Sequence, residues 1–270
     1  MLGSFDRPAD VSKTGRNTGR RRTMIECALI LGCARGYTGA MPEAGLRELK
    51  KARTRQLIAD TAARLFAERG YEQVAVSDVA RAAEVAEQTL YNYFPTKEQL
   101  VIDRDQLVRD RLCDLIRSRP SGTTPAAAVR DFVLESVEHI RSIPRKQWRG
   151  ELGYLAAISP TVHRLALEMT ERQAAAVADA IGDTTEVAPE IARLMGMALA
   201  GVFQIIISEA GNRTRKGQSQ ARIADELSPI IGKMVDELDR WFQASETASR
   251  SKADNNRRKR RRGSGRRDAR

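Results

Sequence analysis

Gln88 and Asn92 stand four residues apart, and each carries an amide that offers a donor and an acceptor together. That combination suits the edge of a base exposed in the major groove of a duplex. Near them lie groups that suit an anion: the Lys97 ammonium, the Tyr93 phenol and the Arg53 and Arg55 guanidinium groups. No other arrangement in the chain points to chemistry. It has no Gly-rich phosphate loop, no Ser-His-Asp or Cys-His arrangement, and no carboxylate and histidine set with metal spacing. Cys27, Cys33 and Cys113 form no CxxC pair and have no histidine partner at ligand spacing. No disulfide scaffold, metal or cofactor is expected, and a reducing cytoplasm fits best.

A net charge of +11 and a pI near 10 suggest nucleic acid, but the charge is unevenly placed. Residues 250–270 carry +9 and residues 1–40 carry +4, leaving 41–249 at −2. Residues 41–104 balance ten basic against ten acidic groups. Geometry, rather than bulk charge, must therefore bring cations to DNA. Arg47, Lys50, Lys51, Arg53 and Arg55 cluster at the start of the first helical segment, within reach of backbone or minor groove. Taken alone, such charges are ordinary solvated groups, and Tyr91 and Tyr93 ordinary packing residues.

The elements that position these groups are helical. Apolar residues recur at spacings of three and four, aromatic residues are scarce at 5%, and no strand alternation stands out. A helix from Gly45 to about Arg69 ends at Gly70, which suits a C-terminal cap. Two short helices follow, about Ser77–Ala83 and Glu87–Tyr93, with small Ala80, Ala82 and Ala83 between them for close approach. A tight turn between two such helices places the second on the surface, where its N-terminal residues can enter a major groove. Beyond Pro95 a helix is expected from Lys97 to about Ser118. Five more are expected at about 125–142, 147–157, 161–181, 190–209 and 219–244. No stretch is read as approaching eighteen apolar residues, so no membrane partner is expected.

The blocks "LFAERGY", "VSDVARAAEV", "TLYNYF" and "TKEQL" resemble the DNA-binding domain of the TetR family of transcriptional regulators, over about 50 residues without a gap. The resemblance implies an all-α fold of about nine helices: an N-terminal three-helix helix-turn-helix domain, then a helical ligand-binding and dimerisation domain. It places Glu87, Gln88, Thr89 and Asn92 on the recognition helix, with Thr89 and Tyr91 where the family touches DNA. Ser77 joins the DNA-contacting set from the preceding helix. Tyr93 and Lys97 fall on phosphate-contacting positions. Three positions depart from the family pattern. Glu84 stands where the turn usually holds Gly, so a left-handed backbone there would be strained. Ala75 and Ala86 replace hydroxyl residues that cap the two helices.

The same resemblance assigns the last two helices to a dimeric four-helix bundle, with Leu199, Phe203, Ile206, Leu227, Ile231, Met234 and Leu238 at the interface. The helix at 190–209 is apolar around its circumference and needs a second buried contact. His139, Trp148, Tyr154, His163, Met169, Gln173 and Phe203 are candidates to line an effector pocket for an apolar or amphipathic small molecule. The expected domains are 1–40, a disordered extension; 41–95, DNA binding; 96–244, effector binding and dimerisation; and 245–270, a disordered Arg-rich tail. The resemblance implies a cytoplasmic homodimer on a palindromic double-stranded operator, not an enzyme. A nonspecific nucleic-acid-coating protein driven by the basic ends is the alternative, and an all-helical enzyme a weaker one.

Overall fold

The computed structural model describes residues 46–103, 105–143, 145 and 147–264, with side chains between 50 and 248. The extension expected at 1–40, and residues 265–270 of the expected tail, lie outside them. Residues Met41–Arg270 form one contact unit. Among the described residues every regular element is helical. The α-helices are α1 (Leu46–Arg69), α2 (Val76–Ala82), α3 (Glu87–Tyr93), α4 (Asp105–Arg117), α5 (Pro125–Glu138), α6 (Leu152–Ile158), α7 (Pro160–Gly182), α8 (Pro189–Arg215) and α9 (Gln220–Ser264). Short 3-10 turns occupy Glu98–Leu100, His139–Ser142 and Trp148–Gly150.

Local chemistry explains the helix ends. Pro125, Pro160 and Pro189 open α5, α7 and α8, where a missing N–H leaves no bond unmade. The hydroxyls of Thr124 and Ser159 cap α5 and α7, accepting the N–H of Ala127 at 3.1 Å and of Val162 at 3.2 Å. Gly70 adopts φ +83° and its N–H donates to Phe66 O at 2.9 Å, closing α1.

Several boundaries differ from the sequence expectation. The single helix expected from Lys97 to about Ser118 is a 3-10 turn followed by α4. Leu100 is drawn into the core at 5% exposure while Asp103 pairs with Arg55, and the chain turns between them. The last helix continues through Pro229 to Ser264 instead of ending near residue 244. No Gly or Pro interrupts residues 245–262, where Ala, Glu, Lys and Arg favour helix.

α8 corrects the expectation about apolar length. It contains an eighteen-residue window of mean hydropathy 1.8, long and apolar enough by length and composition to cross a membrane. Here the helix is packed against α6, α7 and α9, with Met195, Leu199, Val202, Phe203 and Ile206 buried.

One apolar cluster joins Ile58, Leu65 and Phe66 of α1 to Val79, Leu90, Phe94 and Leu100, and Leu155 of α6 and Val162 of α7 complete it. At the two closest of the glycine contacts among the described residues, only glycine fits. A Cβ on Gly150 would lie 1.8 Å from Ala63 O of α1, and one on Gly211 would lie 1.8 Å from Gly153 O of α6.

Candidate nucleic-acid interface

α2 and α3 are held at a fixed angle by a turn that is closed by backbone bonds. Ala83 N donates to Val79 O at 2.9 Å and Val85 N to Ala80 O at 3.0 Å. Between them Glu84 sits at φ +55°, the left-handed conformation anticipated from its place in the turn. Ala75, lacking a hydroxyl, receives help from α2 instead: the Asp78 carboxylate accepts its N–H at 3.0 Å. Ala86 begins α3 without a side-chain cap.

α3 buries a single residue, Leu90. Glu87, Gln88, Tyr91 and Asn92 are exposed, and Thr89 and Tyr93 are half-buried. Gln88 Nε2 donates to Asn92 Oδ1 at 3.3 Å, so the two amides share one face of the helix. Their remaining donors and acceptors point to no other described residue. Ser77 is half-buried on α2, and Arg53 is exposed on α1.

Arg55 is placed differently from a free phosphate ligand. Its Nη1 donates to Tyr93 O at 2.9 Å, its Nη2 pairs with Asp103, and the guanidinium lies 4.5 Å from the centre of the Phe94 ring. These partners were invisible in the sequence, because Asp103 is 48 residues away. The Lys97 ammonium rests 4.2 Å over the Tyr71 ring. Burial lowers its pKa, with Glu72 and Glu98 opposing the shift. The Tyr71 phenol is pushed up to about 12, chiefly by burial and then by Glu98 and Glu72, so it stays neutral at physiological pH.

The other expected sites scatter. Met169, Gln173 and Phe203 are buried, with Phe203 6.1 Å from the Phe132 ring. Gln173 Nε2 and Trp148 Nε1 are buried without a hydrogen-bond partner. Tyr154 is half-buried beneath Arg149, His139 pairs with Ser142 Oγ at 2.8 Å, and His163 is exposed on α7. A cleft of about 720 Å³ lies elsewhere, between α5 and α9, lined by Arg130, Leu134, Glu138, Gly232 and Asp236.

Of the expected interface residues, Leu199, Phe203, Ile206, Leu227 and Ile231 are at most 8% exposed within one protomer. Met234 and Leu238 are half-buried. Exposed apolar groups stand nearby: Leu194 at 50%, Met197 at 57% and Ile205 at 36% on α8, and Ile230 at 47% on α9.

A helix-turn-helix with an exposed second helix can present that helix to the groove of a duplex. Residues 58–103 match the family described as bacterial regulatory proteins, tetR family. The HTH-type transcriptional regulator TcmR of Streptomyces glaucescens is 24% identical over 151 residues, 56% of this chain and 62% of TcmR. The HTH-type transcriptional repressor KstR2 of Rhodococcus jostii (strain RHA1) is 37% identical over 95 residues, 34% of this chain and 45% of KstR2. The chain thus spans less than two thirds of either relative. The solved structure of the fatty acid degradation regulator FadR from Bacillus halodurans shares 20% identity, covering 72% of this chain and 96% of that one, with a TM-score of 0.44. Over residues 58–103 the chain is thus similar to the DNA-binding domain of the TetR family of transcriptional regulators.

The left-handed Glu84 generates a stability prediction. A side chain there costs about 1–2 kcal/mol that glycine avoids, against a glycine entropy cost of about 0.5–1 kcal/mol. Glu84→Gly should therefore stabilise the protein by up to about 1 kcal/mol in urea unfolding. A clear loss of stability would show that the Glu84 side chain contributes contacts that outweigh its backbone strain.

Proposed function

We propose that this chain is a sequence-specific, operator-binding regulator that works in the cytoplasm as a homodimer on a palindromic site, and as a repressor released by a small-molecule effector. The observation that carries it is the outer face of α3, where Gln88 and Asn92 stand exposed on a helix fixed from below by Leu90. KstR2, which is 37% identical to this chain over 95 residues, is named a repressor, which supports repression here. Residues 41–95 serve as the DNA-binding domain and 96–244 as the effector and dimerisation domain. The nonspecific alternative requires equal affinity for unrelated duplexes.

Register and readout are separable. Gln88→Ala should relax sequence preference by about 1–3 kcal/mol, because it removes a base-edge contact. Lys97→Ala should weaken all duplexes alike and lower the salt slope by about one unit. Gel-shift titration on DNA from upstream of its own gene decides this, and the assignment fails if the two variants exchange behaviours.

Dimerisation uses the exposed row of α8. Leu194, Met197, Gly201 and Ile205 share one helical face, and a Cβ on Gly201 would meet nothing within 4 Å. Burying an exposed side chain of this size contributes up to about 1.5–3 kcal/mol. Met197→Glu should give folded monomers by light scattering with a melting curve like that of the parent. A Met197→Glu protein that remains a dimer places the interface elsewhere.

The effector reading rests on Gln173, 2% exposed in α7 with Nε2 unpaired. An unmet buried donor costs about 1–3 kcal/mol, so an apolar molecule that brings an acceptor to this position would relieve that cost. Met169, one turn earlier on α7, and Phe203 of α8 are also buried. Gln173→Leu should raise the melting temperature of the ligand-free protein by a few degrees. An unchanged or lower melting temperature removes the reason for placing a ligand there.

A further inference from the structure

α9 delivers its charge to the end of the body farthest from α3. α4 and α7 both start at the DNA-binding end. Asp103, just before α4, pairs with Arg55, and Ser159, the cap of α7, donates to Glu72 at 2.5 Å. Both finish at the opposite pole. There Arg117 meets Asp183 at 3.3 Å, and Arg119 donates to Thr184 O at 3.1 Å and Thr185 Oγ1 at 2.6 Å. α7 has 23 residues, so the poles lie about 33 Å apart. α9 travels the same way. Gln220 Nε2 donates to Ile143 O at 2.6 Å, Arg130 meets Asp236 at 2.8 Å, and Thr124 meets Asp239 next to the far pole. Glu246 lies in the electrostatic field of Arg119. From there the helix runs on to Ser264, a further stretch of about 27 Å.

That stretch is chemically simple. Residues 250–262 hold eight Lys or Arg against the single Asp254. Arg257–Arg262 are six consecutive cations, so they occupy every register position of the helix. After Phe242 the sequence contains no Leu, Ile, Val, Met, Phe, Tyr or Trp. A helix that lies on a membrane needs an apolar face to insert, and this one has none. Arginine-rich and without apolar anchors, it suits a polymer of phosphates, to which guanidinium groups bind as forks.

We infer that the arginine-rich end of α9 is a second, sequence-blind site for duplex DNA, and that it holds a separate duplex while α3 occupies an operator. The second clause rests on the operator-binding reading above; the first does not. Because the site stands at the far pole, it tethers other DNA to the protein and adds little to the grip on the operator. Each phosphate engaged contributes roughly 0.9 units of salt slope, so five would contribute about 4.5.

The test compares the full chain with a chain ended after Ser249. A short fluorescent duplex of unrelated sequence reports binding by anisotropy as salt is raised. Beads carrying DNA from upstream of the gene report whether bound protein captures that labelled duplex. The truncated chain should lose roughly tenfold or more in affinity for the unrelated duplex, together with most of the salt slope. It should retain the upstream fragment but no longer capture the second duplex. Equal binding of the unrelated duplex by both chains overturns the inference. So does a tail that tightens the upstream fragment without ever capturing a second duplex, since it then grips the same DNA. Displacement of the duplex by vesicles of phosphatidylcholine and phosphatidylglycerol overturns it in favour of an anionic surface. Failure of both chains to prefer the upstream fragment, with tail-dependent duplex binding intact, sinks the operator reading and leaves the second site standing.

Discussion

Arg55 ties the end of α3 to α1 and to the segment before α4. A seven-residue helix with one buried side chain has little to hold it, since isolated helices of that length do not form in water. Leu90, fully buried, supplies the larger energy, about 2 kcal/mol. Val85 before the helix, Tyr93 within it and the fully buried Phe94 just beyond it pack on the same cluster. Arg55 adds direction to that packing by catching the carbonyl of Tyr93 at the end of α3, lying on the Phe94 ring and pairing with Asp103. With its side chain 42% exposed, the ion pair contributes at most about 1 kcal/mol. Its value is directional: three partners at different angles define one orientation.

The local features of this domain could be read in the sequence, and the distant ones could not. Gly70 at the end of α1 and the left-handed Glu84 follow from residue type and position within a few neighbours. The pairing of Arg55 with Asp103 depends on two segments that meet only after folding, so Arg55 resembled a free cation. α8 shows a subtler limit. A helix apolar around its circumference needs two buried contacts, but periodicity does not say which face its own chain will cover. The protomer covers Leu199, Phe203 and Ile206, and Leu194, Met197 and Ile205 are left outside. The end of α9 was missed because its composition suggested a solvated tail, although nothing in 245–262 forbids helix.

Packing does not stop at Pro95. Leu155 and Val162, far along the chain, finish the core that α1, α2 and α3 begin, and the Ser159 hydroxyl both caps α7 and donates to Glu72 in the loop after α1. The start of α7 and the base of the helix-turn-helix are therefore stabilised by the same side chains.

The glycine contacts give this continuity a mechanical character. Side chains between two helices act as a cushion, since they can change rotamer and absorb a small displacement. Gly211 on Gly153 and Gly150 on Ala63 have no such cushion, and backbone rests on backbone at both places. A sideways step of α8 would meet no side-chain layer before α6, and the turn that precedes α6 bears directly on α1. The contacts join backbone to backbone, as pins join the rods of a linkage.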